Sequence, residues 1–183
     1  TYPGRAGWRW LYFEASGVDS AQPQFSINQA FAGGNSALNN HQMVYSYDQE
    51  NWEFFDNNQR SGNSFSFSNG TPFSQNKIYV AYAQPYSYQR VVDHTASMLA
   101  TPWAEPTISG DASGVIGKTP IAFDDLGRLN PAKDIYAYRI TNVGTDSATV
   151  PKAKIMLTSG MHAGEVLGNY ALEGLLDWLT SAD

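Results

Sequence analysis

Large apolar residues recur at every second position in five short stretches of the first 85 residues. These are Trp8 to Phe13, Phe25-Ser26-Ile27, Met43 to Tyr47, Phe65-Ser66-Phe67 and Ile78 to Tyr82. A period of two places alternate side chains on opposite faces, which is the pattern of half-buried strands. The stretches are separated by Ser16-Gly17, Gly33-Gly34-Asn35, Asp56-Asn57-Asn58, Ser61-Gly62-Asn63 and Asn69-Gly70-Thr71-Pro72, all of them turn-forming chemistry. The pattern predicts a β-sandwich of roughly 80 residues.

The period then changes. From Ser87 to Ala100, the residues Tyr88, Val91, Val92, Thr95, Met98 and Leu99 fall at helical spacing, and Pro102 closes the run. This reads as a connecting helix, so residues 1–100 are expected to form the sandwich domain and its connector. Two further strands are predicted at Gly117 to Asp124 and Ile135 to Asn142, joined through Asp125-Leu126-Gly127-Arg128. The nearly continuous apolar run Lys154 to Thr158 predicts a strand covered on both faces. Beyond it, Leu167, Ala171, Leu175, Trp178 and Leu179 lie on one side of a helix, with Asn169, Glu173, Asp177 and Thr180 elsewhere. Strand, short loop and helix begin an α/β unit, so residues 101–183 are expected to be the opening of an α/β domain with a mixed sheet, incomplete as it stands.

Composition narrows the chemistry. Of the 183 residues, 42% are hydrophobic and 15% charged, a balance that fits a folded chain rather than a disordered one. A net charge of −6 argues against nucleic acid or an anionic membrane as partner, because little is present to neutralise phosphates. With no cysteine, a metal site would have to rest on His, Asp and Glu. The first residue is Thr1, and charges are sparse while Asn, Ser and Tyr are many, which leans towards a secreted or periplasmic protein, with a cytoplasmic one as the alternative.

The candidate metal ligands are His162 and Glu165, in the loop Gly160-Met161-His162-Ala163-Gly164-Glu165 between the apolar run and the helix. α/β folds place ligands at the carboxyl ends of strands. Imidazole and carboxylate are both zinc donors, and Gly164 permits the sharp turn that would bring them together. The competing account is that Glu165 favours the macrodipole of the following helix while His162 is an ordinary loop residue. Spacing alone does not choose between them. His41 and His94 have no acidic partner at ligand spacing and are expected to be structural. Ser109-Gly110-Asp111-Ala112-Ser113-Gly114 lacks the Lys-Ser/Thr ending of a phosphate loop, and no Gly-x-Ser-x-Gly elbow occurs. Trp8, Trp10, Trp52 and the many tyrosines would suit a sugar platform, but fit the core and strand faces of an aromatic-rich sheet better.

Several stretches resemble one family. Trp10-Leu11-Tyr12-Phe13 is similar to a Trp-x-Tyr/Phe-x-Phe strand, and Ile78 to Tyr88 to an aromatic strand ending in a Tyr-Pro-Tyr-x-Tyr-like segment. Val115 to Pro120 and Tyr138 to Asn142 are looser counterparts of an early hairpin, while Met161 to Leu179 resembles a His-Pro-x-Glu zinc loop and its helix, with Ala163 in place of the proline. These are features of the carboxypeptidase A-like zinc peptidases, in the branch resembling cytosolic carboxypeptidases and their bacterial relatives. The resemblance implies an N-terminal portion of a zinc metallocarboxypeptidase acting on the C-terminus of a peptide or protein. His162 and Glu165 would be the first two ligands of one Zn2+. A third histidine, the arginine and asparagine that hold the substrate carboxylate, and the glutamate general base would lie downstream, so these 183 residues are expected to be inactive. The alternative is a non-catalytic β-sandwich module that binds a ligand or protein.

Overall fold

A computed structural model describes residues 10–28, 38, 40–62, 64–108, 111–123, 127–142, 151–160 and 166–181. The chain divides into two compact units, one of Thr1–Pro85 with Gly160–Leu167, the other of Tyr86–Ser159 with Gly168–Asp183.

Among its described residues the first unit contains seven strands: β1 (Tyr12–Ser16), β2 (Phe25–Asn28), β3 (Val44–Ser46), β4 (Glu53–Phe54), β5 (Asn57–Ser61), β6 (Ser64–Ser68) and β7 (Lys77–Ala81). They form two antiparallel sheets, one in the order β1-β7-β3-β4 and one in the order β2-β6-β5. The expected alternation is visible in β6, where Phe65 and Phe67 are buried while Ser64, Ser66 and Ser68 are not. Side chains from both sheets share one core: Tyr45, Ile78 and Val80 from the first, Phe65 and Phe67 from the second, with Met43, Phe55 and Phe73 from the loops. The rings interlock. Phe13 meets Phe25 edge-on at 5.9 Å, Phe25 stacks on Phe67 at 5.3 Å, and Phe55 meets Phe67 edge-on at 4.9 Å. Such pairings add to the area each ring removes from water.

Two strands here escaped the hydrophobic pattern. β5 reads Asn-Asn-Gln-Arg-Ser, and its Asn57, Asn58 and Ser61 belong to the stretches expected to be turn. It is an edge strand whose ladder to β6 supplies backbone bonds without apolar burial. β4 has only two residues.

The second unit holds α1 (Tyr88–Leu99), six short strands and α2 (Leu167–Thr180). The strands are β8 (Ala104–Pro106), β9 (Val115–Lys118), β10 (Ala122–Phe123), β11 (Leu129–Asn130), β12 (Asp134–Tyr136) and β13 (Tyr138–Ile140). They pair as three separate antiparallel ladders, β8 with β13, β9 with β12 and β10 with β11. Helix α1 matches its expected extent. Ser87 is the N-cap, its Oγ accepting from the Arg90 backbone N–H at 3.1 Å, and Ala100 is the C-cap.

Three expectations for this unit need correction. The single strand foreseen from Gly117 onward is broken into β9 and β10, with Pro120, which has no N–H to give a ladder, between them. The strand foreseen from Ile135 to Asn142 is likewise two strands, divided at Ala137, whose N–H turns to the Gly114 carbonyl at 2.9 Å. The apolar run Lys154 to Thr158 lies in no ladder, and Ile155 and Met156 are 84% and 87% exposed. A both-faces-buried strand requires paired neighbours on each side, and the described residues provide none for this segment. It is tied down at its start, where Lys152 Nζ donates to Thr141 Oγ1 at 3.1 Å and to the Asn142 carbonyl at 2.6 Å.

Candidate functional site

His162 and Glu165 lie outside the described residues, which flank them on either side. Gly160 takes a left-handed conformation, φ +68°, where a side chain would be strained. Leu167 starts α2 two residues beyond Glu165.

Helix α2 is held to α1 by its polar side. Arg90 reaches Glu173 with both arms of its guanidinium, Nε donating to Oε2 at 2.9 Å and a terminal nitrogen to Oε1. The Tyr86 hydroxyl donates to the same carboxylate at 2.5 Å. One turn on, His94 Nε2 pairs with Asp177 Oδ1 at 2.9 Å, and a further turn on Thr180 Oγ1 sits 3.7 Å from the Met98 sulfur. The guanidinium also lies over the rings of Tyr170 and Tyr86, 5.0 and 5.6 Å from their centroids.

The electrostatics follow from these contacts. Burial works to raise the Glu173 carboxyl, but the hydrogen bonds from Arg90 and Tyr86 outweigh it and hold the group below the usual glutamate range. Burial and the bond to Glu173 push the Tyr86 phenol up. Burial, with the charges of Asp177 and Glu173, pushes Tyr138 up to about 12. Glu173 is therefore an ionised carboxylate engaged by three hydrogen bonds.

The other histidines have structural surroundings. His41 donates from Nε2 to the Tyr82 carbonyl at 2.7 Å and stacks on the Tyr82 ring at 4.0 Å. His94 belongs to the helix contact above. Among the described residues no group of three His, Asp or Glu side chains could hold a metal. Of the tryptophans that suggested a platform, Trp8 lies outside the described residues, the Trp52 indole N–H donates to the Gln49 carbonyl at 3.0 Å, and Trp10 packs 6.4 Å from Tyr82. Sequence reasoning placed Glu173 and Asp177 only off the apolar side of the helix and gave them no role. The available signal was the common four-residue spacing of Arg90 and His94 on one helix and Glu173 and Asp177 on the other.

Residues 4–83, which include every strand of the first unit, match the family model of the cytosolic carboxypeptidase N-terminal domain. Over these residues the chain resembles the cytosolic-carboxypeptidase-like family. Solved structures extend the likeness beyond that domain. A metallo-carboxypeptidase from Burkholderia cenocepacia aligns with 95% of the chain at 22% identity and a TM-score of 0.66. One from Pseudomonas aeruginosa, solved in complex with (2-guanidinoethylmercapto)succinic acid, aligns with 96% at 20% identity and a TM-score of 0.63. At such identities the likeness is one of fold. The chain spans 40% and 41% of those two proteins. No curated protein matches it. No helix of the described residues is long and apolar enough to cross a membrane.

Proposed function

We propose that the chain is the N-terminal portion of a zinc metallocarboxypeptidase, in which the two sheets of the first unit pack as a β-sandwich and His162 and Glu165 are two ligands of a single Zn2+. The observation that carries this reading is the fold likeness to the Burkholderia cenocepacia metallo-carboxypeptidase along 95% of the chain, well past the N-terminal domain. The donor set suits the ion, since His162 would give a neutral imidazole nitrogen and Glu165 a carboxylate oxygen. When bound, the metal would supply Lewis-acid chemistry for hydrolysis of a C-terminal peptide bond. The substrate would be the free C-terminus of a peptide or protein.

The exposed apolar surface of the second unit supports the same reading. Ile155, Met156 and Trp178 are each more than two-thirds exposed, as expected of an α/β layer that packs against more polypeptide than these residues supply. Catalysis would require the further ligand and the general base that the family resemblance implies. The 183 residues alone are therefore expected to show no peptidase turnover, and turnover by the purified chain would contradict this.

The metal assignment is tested by zinc content. Protein purified with the substitution His162→Ala should retain markedly less zinc than the unsubstituted protein, each compared at matched concentration after dialysis. Equal zinc in the two would sink the assignment.

A further inference from the structure

Helix α2 is turned the opposite way from an ordinary amphipathic helix. Its apolar arc, Leu167, Ala171, Leu175, Trp178 and Leu179, is exposed, with Trp178 at 69%. Its polar arc, Glu173, Asp177 and Thr180, faces α1. The three contacts Arg90–Glu173, His94–Asp177 and Met98–Thr180 advance together along both helices, so the two run parallel in fixed register. Burial of apolar area favours the reverse orientation at roughly 25 cal/mol per Å2. Something specific must hold the observed one.

We propose that Arg90 is a positioning residue that sets the rotation of α2 about its own axis by its two-armed bond to Glu173, and so keeps the apolar arc facing outward. Of the three contacts it is the one with directional strength. The planar guanidinium engages both carboxylate oxygens, which fixes the angle of the Glu173 side chain as well as its distance. The guanidinium lies over both Tyr86 and Tyr170, whose rings meet edge to face 4.9 Å apart. The Glu173 side chain is only 12% exposed, so its charge is tolerable in that position only while it is paired. Deprived of Arg90, Glu173 gains by turning towards water, and the same rotation carries Trp178 and Leu175 inward. The pair thus acts as a selector of orientation rather than a simple source of stability.

Hydroxyl-radical footprinting of the 183-residue chain, read residue by residue by mass spectrometry, tests this directly, with Trp178 as the internal reporter. In Arg90→Ala the oxidation rate of Trp178 should fall by roughly twofold or more, as for an exposed side chain becoming half-buried, while helical circular dichroism is kept. The exchanged pair Arg90→Glu with Glu173→Arg should restore a rate close to the original. A purely stabilising role gives the opposite result, because loosening or unfolding of α2 raises Trp178 oxidation. An unchanged or increased rate in Arg90→Ala, or failure of the exchanged pair to restore it, would overturn the proposal.

Discussion

His41 and Tyr82 are joined twice, by a 2.7 Å hydrogen bond from the imidazole to the Tyr82 carbonyl and by parallel stacking of the two rings 4.0 Å apart. Because a carbonyl only accepts, Nε2 carries the proton. Burial lowers the His41 pKa from its ordinary 6.5, and the bond to the Tyr82 carbonyl opposes this only in part. The unfolded chain then binds more protons than the folded one between the lowered value and 6.5, so stability is full above 6.5 and declines as pH falls through that window. Unfolding midpoints of the first unit measured from pH 7.5 to 5 should fall accordingly, and the dependence should flatten in His41→Gln. A midpoint that rises on acidification over this range would contradict the burial argument.

The aromatic core of the first unit makes a second expectation. Phe67 is 1% exposed and touches the rings of Phe25, Phe55 and Phe65. Phe67→Ala should cost about 3–5 kcal/mol, since the packed rings around it cannot collapse into the space. Urea denaturation followed by near-ultraviolet circular dichroism reads this. The exposed Phe54 is the control, where the same substitution should cost well under half as much.

Gly114 and Gly117 lie three residues apart and should respond in contrasting ways. Gly114 has φ +73°, and a Cβ there would stand 3.0 Å from Leu99 Cδ1 and 3.4 Å from Thr95 Cγ2 of α1. Gly117 has neither a left-handed backbone nor a neighbour within 4 Å. Gly114→Ala should destabilise the second unit by about 1–2 kcal/mol from backbone strain alone, whereas Gly117→Ala should be neutral or slightly stabilising. Thermal unfolding of the two variants side by side distinguishes them.

Ser87 caps α1 through its side-chain oxygen. Ser87→Ala should cost about 1 kcal/mol, appearing as faster hydrogen exchange in the first turn of the helix, including the Arg90 amide. Ser87→Asp should retain the protection, because a carboxylate accepts the same bond and adds favourable charge at the helix start.

The features legible in the sequence were those written in side-chain periodicity. β3 falls within one of the apolar alternations and β2, β6 and β7 overlap theirs, and α1 follows from its spacing and its serine cap. β5 was illegible because an edge strand is held by backbone bonds, to which Asn57-Asn58-Gln59-Arg60-Ser61 adds no apolar signal. The run Lys154 to Thr158 misled for the converse reason: hydrophobicity states that a segment ought to be covered, while a ladder needs partner strands. At the candidate site, His162 and Glu165 were found from residue type and resemblance, and they lie outside the described residues. The Arg90–Glu173 contact joins residues 83 positions apart and leaves no trace in local pattern beyond the matched spacing of the charges.

Ala137 occupies a single position between β12, which pairs with β9, and β13, which pairs with β8. Neither two-stranded ladder is large enough to persist by itself in water. They are joined through one residue, whose own N–H is bonded to the Gly114 carbonyl beside β9. They should behave as a single cooperative block, in which amides of β8, β9, β12 and β13 exchange with one common opening free energy and are lost together on heating.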